Sequence, residues 1–301
     1  MPPSHKVKTP SGRNTRPESQ QLSDAERSLL TSCSAIFQPT LSLPPAELTA
    51  SIQHVKEALY GKDYVRAFST ETNCKSYCAR WVPGRALMYH RLLAELELSP
   101  EEVSKRQWIL LGGGPGSELL ALASLAGTTL QTMAVDSADW SACHQDYLAY
   151  YQQQTQPTVS ADLQQLDILK GTAFTSFLSN LPSTAGPRFF TLFFTLHELL
   201  LASRAKTIAM LRQLTDACRS GDQLLVVESA SLGTVTLGEG EKQRDYSLTW
   251  LLEHLLAGDW QEDESMRKDK QWYRLPTEEA LKIYPLKLEN TRVLVRLFTR
   301  L

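Results

Sequence analysis

Apolar runs alternating with stretches of helical spacing dominate the centre of the chain. Residues 108–111, 130–135, 189–196 and 224–227 are short, continuous and rich in β-prone side chains. Such runs suit strands buried on both faces of a parallel sheet. Residues 158–163, extending as far as 166, make a weaker strand of the same kind. Residues 117–123, 140–151, 198–218 and 246–257 carry apolar positions at helical spacing. The alternation predicts an α/β chain with a doubly wound, mostly parallel sheet. Near the C-terminus, residues 286–288 and 293–298 flank Glu289-Asn290-Thr291-Arg292, which predicts an antiparallel hairpin.

Upstream of residue 97 the pattern is helical. Pro44-Pro45-Ala46-Glu47 starts a helix with Leu48, Ile52, Val55 and Leu59 on one face. A second helix is expected from Gly84 or Arg85 to Leu96, with Pro83 in its first turn and Leu87, Met88 and Leu92 as its buried stripe. Residues 1–23 are rich in Pro, Ser and Gln and show no hydrophobic period. They read as a disordered tail. The organisation expected is therefore a tail over 1–23, a helical extension over 24–104 and the sheet domain over 105–301.

Composition narrows the classes. No apolar run approaches the ~18–20 residues of a membrane span, and the N-terminus lacks the apolar core of a secretory signal. The net charge of −2 argues against a strongly cationic nucleic-acid binder. Five cysteines without paired spacing suggest reduced thiols in the nucleus or cytoplasm, in a protein that is not secreted. Cys74 and Cys78 are followed at the required spacing by Trp81 instead of a third cysteine, so neither an iron–sulfur cluster nor any other metal is expected.

The strongest chemical signal is Gly112-Gly113-Gly114-Pro115-Gly116-Ser117-Glu118, set between a strand and a helix. A dinucleotide turn wants a third small residue at position 117, normally Gly or Ala. Here the residue is Ser117, and the glycines follow a Gly-x-Gly-x-Gly pattern. That form resembles motif I of class I S-adenosylmethionine methyltransferases. Asp136 ends the next strand, about 20 residues on, where a carboxylate accepts hydrogen bonds from ribose hydroxyls.

Further segments carry a more specific resemblance. They are Tyr77-Cys78-Ala79-Arg80-Trp81-Val82-Pro83-Gly84-Arg85-Ala86-Leu87-Met88-Tyr89, Phe193-Phe194-Thr195-Leu196-His197-Glu198-Leu199 and Glu289-Asn290-Thr291-Arg292. With the glycine turn, they resemble the fungal family of large-subunit (25S) ribosomal RNA uridine-N3-methyltransferases, from about Ala67 to the end. The resemblance implies an S-adenosylmethionine cofactor held by Gly112, Gly113, Gly114 and Gly116. It places Glu118 at the cofactor ammonium, Asp136 at the ribose and Asp167 near the adenine. Many methyltransferases have an acidic residue where this chain has Leu110, and Glu118 is the compensating carboxylate.

Uracil N3 carries a proton, so its methylation gains from a general base. His197 and Glu198 sit just past the fourth strand, and one of them is expected to orient or deprotonate the base. Arg80, Trp81, Arg85 and Tyr89 form the other cluster, with Arg85 and Tyr89 on one helix face and an arginine meeting the cofactor carboxylate or an RNA phosphate. Trp81 either covers the adenine or stacks on a flipped base. Lys268, Lys270, Trp272 and Arg274 mix cations with aromatics, but the nearby Glu262, Asp263, Glu264 and Asp269 favour a solvated loop. The partner expected is ribosomal RNA or a pre-ribosomal particle, met by a monomer. The competing readings are a methyltransferase of a small molecule or protein, and a non-catalytic binding subunit.

Overall fold

A computed structural model describes residues 21–182, 186–232, 234–237 and 244–301. In chain order the helices are α1 (Asp24–Ile36), α2 (Gln38–Leu41), α3 (Pro45–Tyr60), α4 (Tyr64–Ala67), α5 (Glu71–Ala94), α6 (Pro100–Lys105), α7 (Ser117–Ala123), α8 (Ser141–Tyr151), α9 (Gly171–Ser179), α10 (Leu196–Ala217), α11 (Leu248–Leu256) and α12 (Thr277–Leu281). The strands are β1 (Gln107–Leu111), β2 (Thr129–Asp136), β3 (Thr158–Gln165), β4 (Arg188–Phe193), β5 (Gln223–Ser229), β6 (Thr234–Leu237), β7 (Arg244–Ser247), β8 (Trp260–Glu262), β9 (Lys268–Tyr273) and β10 (Thr291–Arg300).

The main sheet runs β3-β2-β1-β4-β5-β10-β8, with β9 also paired to β10. Strands β3 to β5 are mutually parallel, and β10 is antiparallel to β5. This is the mostly parallel, doubly wound sheet the alternation predicts. Alternate residues of each central strand enter opposite cores. Trp108 and Leu110 of β1 join α1, α5, α7 and α8 in one core. Ile109 and Leu111 join α9, α10 and α11 in the other. The chain leaves β1 to one side for β2 and β3, then crosses to the other side for β4. That reversal opens a crevice between the C-terminal ends of β1 and β4, where ligands of such sheets bind.

Several boundaries differ from expectation. Residues 1–20 of the expected tail lie outside the described residues, but Leu22 is buried and Ser23 caps α1 in a reciprocal box with Glu26. The second N-terminal helix begins at Glu71, capped by Thr70, and runs through Pro83. A proline has no N–H for the carbonyl four residues earlier. That carbonyl, on Ala79, instead accepts the Tyr284 hydroxyl at 2.5 Å. The fourth strand stops at Phe193 because Phe194 turns to φ 54°. Tyr246 and Ser247, expected to open a helix over 246–257, belong instead to β7, which pairs with β6 as a small hairpin. The segment 286–288 forms no strand. The antiparallel partners of β10 are β5, β8 and β9, the last joined to it through α12.

Candidate active site

The glycine turn is built for close packing. Gly112 and Gly116 have φ 78° and 79°, which glycine adopts without the Cβ clash that other residues pay. A Cβ at Gly112 would stand 2.3 Å from Thr195 Oγ1, one at Gly114 2.0 Å from the Trp140 ring, and one at Gly116 2.3 Å from the Tyr147 ring. The space freed by these glycines is thus filled by the protein's own side chains. The turn is fastened from α8, where His144 Nε2 meets the Gly114 carbonyl at 2.9 Å and the Tyr147 hydroxyl donates to the Pro115 carbonyl at 2.7 Å. Cys74 and Cys78 are buried on α5 beneath it, and burial pushes the Cys74 thiol up to about 12.

Two carboxylates face the turn. Glu118, in the first turn of α7, is buried, and its Oε1 has no hydrogen-bond partner. Burial pushes its carboxyl up to about 8, although Arg85 opposes the shift. Asp136 accepts the Gly114 N–H at 3.2 Å and the Ala138 N–H at 3.0 Å, leaving further lone pairs on both oxygens. Burial also raises Asp136, against those two backbone bonds. Asp167 lies past β3 and uses one oxygen on the Leu169 N–H.

A second half of the site lies over β4, β5 and β10. A cleft of about 430 Å³ is walled by Arg80, Trp81 and Arg85 from α5 and by Phe194, Ser229 and Arg292 from the sheet side. A larger depression of about 1110 Å³, near Glu26 and Arg91, lies away from the glycine turn and its carboxylates. Arg80 is taken up by Glu289 at 2.5 Å and by the Lys287 carbonyl. Arg85 accompanies Tyr77, whose hydroxyl accepts from it at 2.5 Å, and lies 5.1 Å from the Phe194 ring. Burial alone would lower Arg85, but Tyr77, Tyr89, Glu198 and Glu118 hold it above its ordinary value. It therefore stays cationic between the two halves of the site.

His197 and Glu198 lie in the first turn of α10, a few residues past Phe194 of the cleft wall. Glu198 reaches solvent, yet the surrounding walls push its carboxyl up to about 7, with Arg85 opposing and Glu228 and Asp136 adding to the rise. Burial lowers His197, and its buried Nδ1 has no partner. The fold also adds residues that the sequence reading did not single out. Glu228, at the end of β5, is buried and accepts the His197 N–H at 3.0 Å. It pins the start of α10, and burial pushes it up to about 7. An acidic residue ending an apolar strand, as at Asp136, was the signal available for it. Tyr64 comes from α4 to the neighbourhood of Glu198; burial first, then Glu198, pushes it up to about 12. No spacing within the chain connects Tyr64 to Glu198.

The donor set suits a cationic nucleoside. Glu118 Oε1 is an unmatched buried acceptor of the kind an ammonium satisfies, and Asp136 has lone pairs for a ribose diol. Residues 34–299 match the profile of a family of SAM-dependent methyltransferases. The 25S rRNA (uridine(2843)-N(3))-methyltransferase of Saccharomyces cerevisiae is 26% identical over 296 residues, spanning 84% of this chain and 78% of that protein. Among solved structures, the N-methyltransferase NodS from Bradyrhizobium japonicum, in complex with S-adenosyl-L-homocysteine, aligns with 70% of this chain and 85% of its own at 12% identity, with a TM-score of 0.41. An rRNA methylase from Streptococcus thermophilus aligns with 71% of this chain and 95% of its own at 13% identity, with a TM-score of 0.36.

Proposed function

The chain belongs to a family of SAM-dependent methyltransferases, and from that premise we propose that it methylates N3 of a uridine in large-subunit ribosomal RNA. The observation that carries the choice of substrate is the 26% identity, over most of the chain, to a yeast enzyme named for that reaction. The two-sided site supports it. One half offers carboxylates to a cationic nucleoside; the other is a cleft walled by Arg85 and Phe194, and the charge of Arg85 also acts on Glu198, a carboxyl pushed up to about 7.

S-adenosylmethionine, when bound, would supply an electrophilic methyl group whose transfer leaves the neutral thioether S-adenosylhomocysteine. The chain's residues hold the partners and manage the proton. Glu118 takes the ammonium and Asp136 the ribose hydroxyls, with Gly112, Gly113, Gly114 and Gly116 shaping the turn beneath and Asp167 on the adenine side. Arg85 offers its charge to a carboxylate or to the negative oxygen of a deprotonated uracil. Trp81 and Phe194 wall the cleft into which the base swings. Glu198 takes the N3 proton, and an acceptor near 7 suits that task at neutral pH. His197, neutral and beside it, is the second candidate for the same role. The setting is a pre-ribosomal particle in the nucleus or nucleolus, met by a monomer.

The test is nucleoside analysis of large-subunit ribosomal RNA from cells with and without the gene. Loss of 3-methyluridine at one site, restored by the wild-type chain and not by Glu118→Gln, is expected. Unchanged 3-methyluridine overturns the reading.

A further inference from the structure

β9 ends in Trp272 and Tyr273, with Lys270 two residues before Trp272 and Arg274 just beyond the strand. The pairing of β9 with β10 sets Arg292 directly opposite Trp272. The guanidinium groups of Arg274 and Arg292 lie 5.9 and 5.8 Å from the Trp272 ring centre. The indole is nevertheless 47% exposed, unusual for so large an apolar ring.

The nearby acids do not neutralise this cluster. Asp269 and Glu262 are engaged by Arg296, at 2.5 and 3.2 Å, and Arg267 lies against Glu253 at 2.6 Å. Lys268 is paired with Glu95 at 2.6 Å. Among the described residues Lys270, Arg274 and Arg292 form no salt bridge. The segment expected as a solvated loop thus holds a strand, and two of its four acids, Glu262 and Asp269, are taken up by Arg296, leaving three cations near an exposed aromatic. Trp272 and Arg292 also line the 430 Å³ cleft that holds Arg85 and Phe194.

We propose that Trp272, Arg274 and Arg292, with Lys270 beside them, are a landing surface for single-stranded RNA. It holds the nucleotide next to the one that enters the cleft. Cations that release counterions from phosphates, interleaved with an aromatic face, are what single-stranded nucleic acid requires. The assignment deepens the ribosomal RNA reading and rests on it for the identity of the base in the cleft.

The test is fluorescence anisotropy of a uridine-containing single-stranded RNA of about 12 nucleotides, titrated with the full chain at several salt concentrations. Trp272→Ala should weaken binding at least about fivefold, and Trp272→Phe should recover most of that loss. The double variant Arg274→Ala/Arg292→Ala should lower the slope of log affinity against log salt by about 1.4, or ~0.7 per cation removed. S-adenosylmethionine affinity, measured by calorimetry, should stay within twofold of wild type and so reports an intact fold. RNA binding within twofold of wild type in both Trp272→Ala and the double variant overturns the proposal. So does wild-type protein that fails to bind the RNA, or competition by a poly-glutamate peptide as effective as that by RNA. If the variants lose RNA while cells lacking the gene keep their 3-methyluridine, the surface stands and the uridine reading falls.

Discussion

Glu118 and Glu198 are the side chains on which the chemistry turns. Glu118 is buried with an unmatched oxygen, so its proton leaves most readily when a cation arrives. Glu118→Gln should keep the shape and lose the charge. Calorimetry at pH 8 should show S-adenosylmethionine affinity reduced at least about tenfold, since charge-assisted bonds contribute ~1.5–3 kcal/mol. Glu198 titrates near 7, so kcat under saturating cofactor should rise from pH 6 to pH 8 as its carboxylate forms. Glu198→Gln should remove that rise and slow turnover by roughly 10²–10⁴-fold. If His197→Ala loses the rise and Glu198→Gln keeps it, the base is His197. Gly112→Ala should destabilise the chain, because its φ of 78° and the nearby Thr195 both oppose a methyl group. The glycine turn and Asp136 were legible from strand–turn–helix order, whereas Glu118 was singled out through the family resemblance. Glu228 was not, although it ends an apolar strand as Asp136 does.

At the scale of elements, α5 shows how a tertiary contact carries a helix through a local break. Proline costs ~3 kcal/mol or more inside a helix, which is why a start at Gly84 or Arg85, with Pro83 in the first turn, is the natural expectation. The helix instead gains from burial around most of its circumference, with α1, α3, α7 and α8 packed against it, and Tyr284 takes up the freed Ala79 carbonyl. Tyr284→Phe should lower stability by about 0.5–1.5 kcal/mol, read from the urea midpoint at unchanged slope. The benefit reaches the site, because α5 carries Arg80, Trp81 and Arg85 to the cleft. The C-terminal hairpin failed for a similar reason. Residues 286–288 are close enough in sequence to pair with β10, but β9 supplies an edge whose side chains match it across α12. A turn signal reports only that the chain bends; the pairing depends on which edge is free.

Across the whole molecule, Glu118 and Glu228 are buried carboxyls raised to about 8 and 7, and Glu198 is raised to about 7. A group whose pKa is higher in the folded chain adds stability below its unfolded value, near 4.5, and loses it as pH rises through the folded value. His90, His144 and His197 are lowered by burial and work the other way below about pH 6.5, so the ligand-free protein should melt at progressively lower temperature from about pH 7 to about pH 8.5, with each fully shifted buried group contributing at most ~1.4 kcal/mol per pH unit. Saturating S-adenosylmethionine should flatten the decline, since its positive charges favour the carboxylates. A melting temperature in scanning fluorimetry that is level or rising over that range would refute this account. The order of strands and helices, the glycine turn and the acid ending β2 were determined by sequence. Each depends on short-range periodicity and on spacing within one strand–helix unit. Only the tertiary structure decided that Arg85, Tyr64, Glu198 and Glu228 share one neighbourhood, and that Glu262 and Asp269 near β9 are spent on Arg296. These contacts join residues from distant elements, and their energies depend on burial and on the charges facing them, neither of which is written in local spacing.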